Sequence, residues 1–455
     1  MAAGAASASV EGAGTGGQAA PGLGERGARR SRWTGALAGA CGILIAAATA
    51  EIVLDGALAH SPLIPKSPQI AGWLVGVGER LGFRVFLIAL LVFTGAYAIL
   101  LELVRRAGAG AISKRYAIAL VAVPQAIVFA GPILLSTDVF SYIAYARMGV
   151  LHGVNPYLHG PITISGDPVF RYVGTNWLHV ATAYGPLYTL ISYPFAWLGV
   201  TGALWGMKAM ALAASAGTLA LTWRCARVRR LDPAFALLAV GANPLYVIYT
   251  LGGAHNDLLM LLAMMAAVSL WLSGRDAAAG ATVVAGALVK ASVAVLLPFM
   301  VIARRRWQPI LGALGALAVL GVAGYAAFGA SGLNVIAALN RDAAFVSSDS
   351  FPNEIAHLFD KPGVFPVDHD VLKLALVVIL VHLLWRTWRG YDWVAASGWA
   401  LLAISVTSTW LLAWYIVWSL PLAVVVRDRR LLVATLFVQA LFIVHQLAPL
   451  LAPVS

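Results

Sequence analysis

The chain reads as an all-α integral membrane protein: a bundle of about 13 transmembrane helices whose extracytoplasmic loops carry short interfacial helices. Three observations predict it. Apolar residues fill 61% of 455 positions while 11% are charged, and the mean hydropathy of +0.84 lies far above that of a soluble domain. Several runs reach the roughly 20 residues that cross a hydrocarbon core. The basic residues sit in short clusters between those runs, as cytoplasmic loops do.

The elements follow in order. The first 32 residues are Gly, Ala and Ser closed by Arg26, Arg29, Arg30 and Arg32, which predicts a disordered cytoplasmic tail rather than a cleaved signal peptide. Residues 33–455 then form one polytopic unit. Its candidate spans are 35–55, 84–104, 116–135, 203–223, 233–250, 256–273, 277–289, 291–303, 308–329, 371–388, 393–409, 411–426 and 431–451. The two either side of Lys290 are too short to cross upright, so 277–303 reads as a broken pair inside the protein, where freed backbone groups find partners.

Orientation follows from charge. With the N-terminus inside, the clusters at 105–115, 224–230, 304–306, 386–389 and 427–430, together with Arg275 and the tail, put 21 of the 31 Lys and Arg residues on the cytoplasmic face. The segment 184–199 must then begin and end outside, as a re-entrant or interfacial helix. Two long segments, 136–202 and 330–370, face out as well, so any chemistry belongs on that side. The net charge of +12 is accounted for by these loops and implies no nucleic acid. Cys41 and Cys225 fall in or beside apolar segments and read as packing residues.

Asp138 is the residue that most asks for a reason. It stands where an apolar run gives way to Ser136-Thr137-Asp138, and a carboxylate beside low dielectric is costly to keep ionised. A helix N-cap would explain it; so would a catalytic base. Helical spacing puts Tyr142 and either Tyr145 or Arg147 on its side. Asn155-Pro156-Tyr157 follows, in a loop whose polar and aromatic residues suit a sugar. Tyr184-Gly185-Pro186-Leu187 opens the re-entrant helix with proline in its first turn.

Gly252-Gly253-Ala254-His255-Asn256-Asp257 sets three polar side chains between two apolar runs, which is either a capped turn or a binding element. Lys290 has no acidic residue within four positions and suits a phosphate, unless a distant Asp pairs with it. Arg341, in Asn340-Arg341-Asp342, is grouped with Lys290 as a donor-phosphate ligand, though a solvated loop explains it too. Trp410, Trp414 and Tyr415 belong to an aromatic run that forms either an interface girdle or a groove wall. There is no glycine-rich phosphate loop, His-Glu-x-x-His, paired metal-spaced cysteines or Gly-x-Ser-x-Gly elbow, so a soluble nucleotide-sugar site is unsupported.

The order of these motifs resembles the GT-C membrane glycosyltransferases. More narrowly, it is similar to the polyprenol-phosphate-mannose-dependent α-(1→6)-mannosyltransferases of actinobacterial lipomannan and lipoarabinomannan assembly. The resemblance spans 115–430. It implies a plasma-membrane enzyme that takes a mannosyl unit from a polyprenyl-phosphate donor outside the membrane and adds it, with inversion, to a lipid-linked glycan acceptor. Asp138 would be the base and Lys290 and Arg341 the phosphate ligands. Tyr142, Arg147, Asn155, Tyr157, Tyr184, His255, Asn256, Asp257, Trp410, Trp414 and Tyr415 would contact substrate. No nucleotide site is required and no cofactor is assigned, while a divalent metal at Asp138 and Asp257 is left open. An arabinose or glucose donor, or a lipid-linked sugar flippase, are the alternatives; a flippase would show inverted repeats, and none is evident.

Overall fold

The computed structural model describes residues 23–57 and 82–450, and among them it is helical throughout with no strand. The helices are α1 (Leu23–Gly56), α2 (Phe83–Ala107), α3 (Lys114–Ala130), α4 (Asp138–Leu151), α5 (Pro186–Ser192), α6 (Gly199–Val228), α7 (Pro233–Gly241), α8 (Asp257–Leu272) and α9 (Asp276–Ala287). They continue with α10 (Leu296–Arg304), α11 (Gln308–Phe328), α12 (Asn334–Asp342), α13 (Phe351–Leu358), α14 (Pro366–Trp388), α15 (Trp393–Thr407), α16 (Leu420–Ala423) and α17 (Arg429–Leu447). The tail expected over 1–32 lies outside the described residues as far as 22, and α1 begins at Leu23.

Each expected span contains helix, but the count of 13 crossings does not stand on length. Among the described residues five segments are long and apolar enough to cross: Thr34–Gly56, Phe83–Ala107, Pro186–Val228, Gln308–Asp342 and Arg429–Leu450. A sixth is counted if Pro233–Gly241 and Leu245–Leu251, bent by 47°, are one. Several others are cut short by breaks that apolarity along the chain does not reveal. The run expected to end at Leu135 is an example. Helix α3 stops at Ala130, because Gly131 precedes Pro132 and takes an extended conformation.

Helix α7 and the π-helical turn Leu245–Leu251 are buried all round, as a helix apolar on every side must be. Helices α11 and α14 stand at the periphery and expose Leu314, Val322, Leu374 and Val377, which suits a surface in contact with lipid. Helices α9 and α11 cross on glycines: a Cβ on Gly280 would strike the Pro309 carbonyl, and one on Gly312 the carbonyl of Ala277. Cys41 and Cys225 are free and buried.

Three features position the outer-loop elements. Gly199, at φ 67°, turns the chain back on itself, so that Phe195 lies against Gly206 and segment 184–199 folds beside α6. The chain between α9 and α10 breaks at Lys290, whose backbone is extended. The arginine clusters gather at one end of the bundle, where Arg229 pairs with Asp392 and Arg304 with Asp276. The starts of α4 and α8, the Lys290 break and the end of α15 lie at the other.

Candidate active site

At that second end a cavity of about 90 Å³ is lined by Asp138, Tyr184, Lys290, Arg341, Trp410 and Tyr415, together with Ser141, Tyr145, Trp177 and Asp342. Two larger clefts, of about 880 and 580 Å³, run between α2, α7 and α17 and between α3 and α6. They are mostly apolar and hold none of the residues singled out for chemistry, so size does not identify the site; the convergence of charge and aromatic side chains does.

The backbone before Asp138 is built to present it. After α3 ends, the Lys208 ammonium donates to the freed Gly131 carbonyl, and the Leu134 amide donates to Gly252 at 2.9 Å. Leu135 is held at φ 62°, a conformation unfavourable for a residue with a Cβ and one that gathers at functional sites. Thr137 is the N-cap of α4, without a side-chain hydrogen bond, and the Ser136 hydroxyl accepts from the Asp138 amide at 3.1 Å. The Asp138 carboxylate is thus not the helix cap. It sits in the first turn of α4, where the helix dipole favours negative charge, and its side chain is 17% exposed.

The glycine-rich turn before α8 directs its three polar residues to three different elements. A Cβ on Gly252 would meet the Ile248 carbonyl, and one on Gly253 the imidazole of His255; Ala254 is left-handed at φ 50°. His255, 1% exposed, stacks on Trp414 with ring centroids 3.5 Å apart, and its Nδ1 lies 3.5 Å from Asp138 Oδ2. The Asn256 side-chain carbonyl is 3.5 Å from the Tyr142 hydroxyl. Asp257, fully buried, accepts from Lys290 Nζ at 2.9 and 2.8 Å and from Trp418 Nε1 at 2.6 Å.

Lys290 therefore has the distant acidic partner that its sequence left open as an alternative, 33 positions away. It still lines the cavity, with 16% of its side chain exposed, and lies over the Tyr415 and Trp418 rings at 4.2 and 5.2 Å. Its presentation explains Tyr184-Gly185-Pro186-Leu187. The break leaves carbonyls of Leu288 and Val289 without helical partners; Gly185 donates to Val289 at 3.3 Å and Leu187 to Leu288 at 3.1 Å. Pro186, at the first position of α5, has no amide to place. Gly185 is required because a Cβ there would run into the Leu288 carbonyl.

Arg341 pairs with Asp342 at 2.8 Å on the cavity wall. Trp410 packs on Trp177 and Phe345, 6.2 and 5.3 Å between centroids. Tyr142 lies behind the lining, against Tyr184 and Tyr188. Burial first, then Tyr184 and the Asp138 charge, hold its phenol far above the ordinary range, so it remains a neutral donor.

The outer-loop residues expected to contact sugar are engaged in holding the loop. Asn155 donates to the Phe328 carbonyl at 2.9 Å and accepts the Tyr157 amide at 3.0 Å, while the Tyr157 hydroxyl donates to the Tyr184 carbonyl at 2.8 Å. Arg147 grips Asp167 at 2.8 Å and the Ala196 carbonyl at 3.0 Å. Burial raises the Asp167 carboxyl, but hydrogen bonds from Arg147, the Val169 amide and His152 outweigh it and leave the group below its usual range. Tyr142, Arg147, Asn155, Tyr157, His255, Asn256, Asp257 and Trp414 thus fall outside the lining. Ser141, Tyr145, Trp177 and Asp342 line the cavity without having been assigned a role from the sequence. Tyr145 was legible, being two turns after Asp138 on the same helix face.

A shared metal at Asp138 and Asp257 does not fit this donor set, because Asp257 is already satisfied by Lys290 and Trp418. Among the described residues no group of three or more His, Cys, Asp or Glu side chains is placed to hold an ion.

Comparison with known proteins places the chain in a family. The profile of the α-(1→6)-mannopyranosyltransferase family, N-terminal domain, matches residues 32–306, and that of glycosyltransferase family 87 matches residues 182–453. An α-(1→6)-mannopyranosyltransferase A of Mycobacterium tuberculosis is 26% identical over 413 residues, 83% of this chain and 77% of that protein. The enzyme of the same name from Corynebacterium glutamicum is 30% identical over 178 residues, 38% and 36% of the two chains. A probable α-(1→6)-mannopyranosyltransferase of Mycolicibacterium smegmatis is 33% identical over 152 residues, 32% and 27%. No solved structure matches the chain.

Proposed function

The chain belongs to the α-(1→6)-mannopyranosyltransferase family and to glycosyltransferase family 87, and from that premise we propose that it moves a mannosyl unit from a polyprenyl-phosphate donor to a lipid-linked mannan on the outer face of the plasma membrane. It is a membrane glycosyltransferase. The observation that carries the finer reading is the single cavity shared by Asp138, Lys290 and Arg341, walled by Tyr184, Trp410 and Tyr415 and sited at the end of the bundle away from the arginine clusters.

Asp138 takes the proton of the acceptor hydroxyl as that oxygen attacks the anomeric carbon. The new bond forms on the face opposite the phosphate, the bond from the anomeric carbon to the phosphate oxygen breaks, and the electron pair leaves with the polyprenyl phosphate. A β-linked donor gives an α product. Lys290 and Arg341 meet the charge that grows on the leaving phosphate. Each cation already has a carboxylate partner, Asp257 and Asp342, which keeps both ordered before the donor arrives.

The test is transfer by the purified protein in lipid, with radiolabelled mannose offered on polyprenyl phosphate or on a nucleotide. Transfer from the lipid donor alone supports the reading. Transfer from the nucleotide sugar, or only from an arabinosyl or glucosyl lipid, would replace it.

A further inference from the structure

We propose that His255 is a positioning residue for the catalytic base, holding one oxygen of Asp138 so that the other is left for the acceptor hydroxyl. The inference rests on the assignment of Asp138 as that base.

The imidazole has no freedom to do anything else. It is 1% exposed, one face lies on the Trp414 indole at 3.5 Å with the planes 21° apart, and its far edge abuts Gly253, where no side chain could fit. Neither ring nitrogen has a hydrogen-bond partner among the described residues. The ion-pair contact it does make is from Nδ1 to Asp138 Oδ2 at 3.5 Å. An ionised carboxylate only accepts, so Nδ1 must carry the proton for this contact to be attractive. The separation is longer than a formed hydrogen bond, as such contacts often are before substrate binds.

Two other roles fail on the same geometry. His255 lies outside the cavity lining, so its side chain is not presented to a sugar there. Nor can it pass the proton onward, since Nε2 is buried without a partner. What remains is orientation, and the surrounding turn serves it. The π-helical turn Leu245–Leu251 and left-handed Ala254 set the ring between α4 and Trp414, and a π-turn commonly marks such a place. Among the described residues, the titratable and charged groups facing the pair are Tyr142, Tyr145, Tyr184, Tyr188 and Tyr415, Arg341 and its partner Asp342 on the cavity wall, and Asp257 held by Lys290.

The experiment measures kcat, donor KM and the pH dependence of kcat for the full-length enzyme and its His255→Phe, His255→Asn and Asp138→Asn variants. Phenylalanine keeps the ring on Trp414 and removes Nδ1. Its kcat should fall on the order of tenfold to a hundredfold while KM stays within about twofold, since orientation acts on the reacting step. The acid limb should move to higher pH, because loss of a donor to the charged form makes the carboxylate hold its proton more tightly. Asparagine, whose amide can stand in for Nδ1–H, should recover part of both changes.

An unmoved acid limb with wild-type kcat, or a raised KM at unchanged kcat, would overturn the proposal. Should His255→Phe fail to give monodisperse protein, His255→Leu, which also lacks a donor, is read by the same criteria. If Asp138→Asn is inactive while the His255 variants match wild type, only this inference falls; if Asp138→Asn is active, the base assignment falls with it.

Discussion

Removing Lys290 should cost the fold more than removing Asp257, and removing both should cost less than the sum. Asp257 is completely enclosed, with the Lys290 ammonium bound to both its oxygens and Trp418 to one. In Lys290→Met the carboxylate keeps only the indole donor, and breaking a buried pair in this way costs about 3–5 kcal/mol. In Asp257→Asn the ammonium keeps the ring faces of Tyr415 and Trp418, worth on the order of 0.5–2 kcal/mol together with what solvent reaches it through the cavity. The loss there should be roughly half as large. The double variant buries no charge, so a coupling of about 2–3 kcal/mol should appear in a double-mutant cycle. The assay is unfolding in mixed micelles by denaturing detergent, following tryptophan fluorescence. Additive losses would refute the pairing. Lys290→Arg, which keeps the charge, is then the variant suited to testing a phosphate role.

Two further outcomes are expected. In a background without native cysteines, Val228→Cys and Arg306→Cys should be shielded from an impermeant thiol reagent added outside while Leu158→Cys and Val346→Cys label; outside labelling at 228 would reverse the orientation. Gly185→Ala should lower both the midpoint of thermal unfolding and the transfer rate, since its methyl meets the Leu288 carbonyl and overpacking of this kind costs about 1–3 kcal/mol; wild-type behaviour would mean that the α5 contact does not hold the Lys290 break.

The sequence made some of this legible and hid the rest for physical reasons. The break at Lys290 could be read because a lysine in mid-run cannot sit in an unbroken membrane helix without a partner or water. Its partner could not be read, since Asp257 reaches it through space rather than along the chain. The polar turn 255–257 stood out as a unit, yet nothing in one dimension says that His255, Asn256 and Asp257 diverge to α4 and Trp414, to Tyr142 and to Lys290. Asn155 and Tyr157 suggested sugar contacts because a loop tied to its own scaffold uses the same hydrogen-bonding and aromatic residues as a sugar site. Helix length does not confirm the count of 13 crossings, because a helix as short as α7 is apolar on all sides when it is packed inside protein, and that pattern looks the same as contact with lipid.

The measurement that bears most directly on the account is the single-turnover transfer rate of purified Asp138→Asn with labelled polyprenyl-phosphate mannose. The substitution keeps the side chain's volume and its place at the start of α4 while removing the proton acceptor. We expect a fall of at least about a hundredfold, the usual cost of losing a general base, in protein that remains monodisperse. Retention of more than about a tenth of the wild-type rate would contradict the assignment of Asp138 as the base.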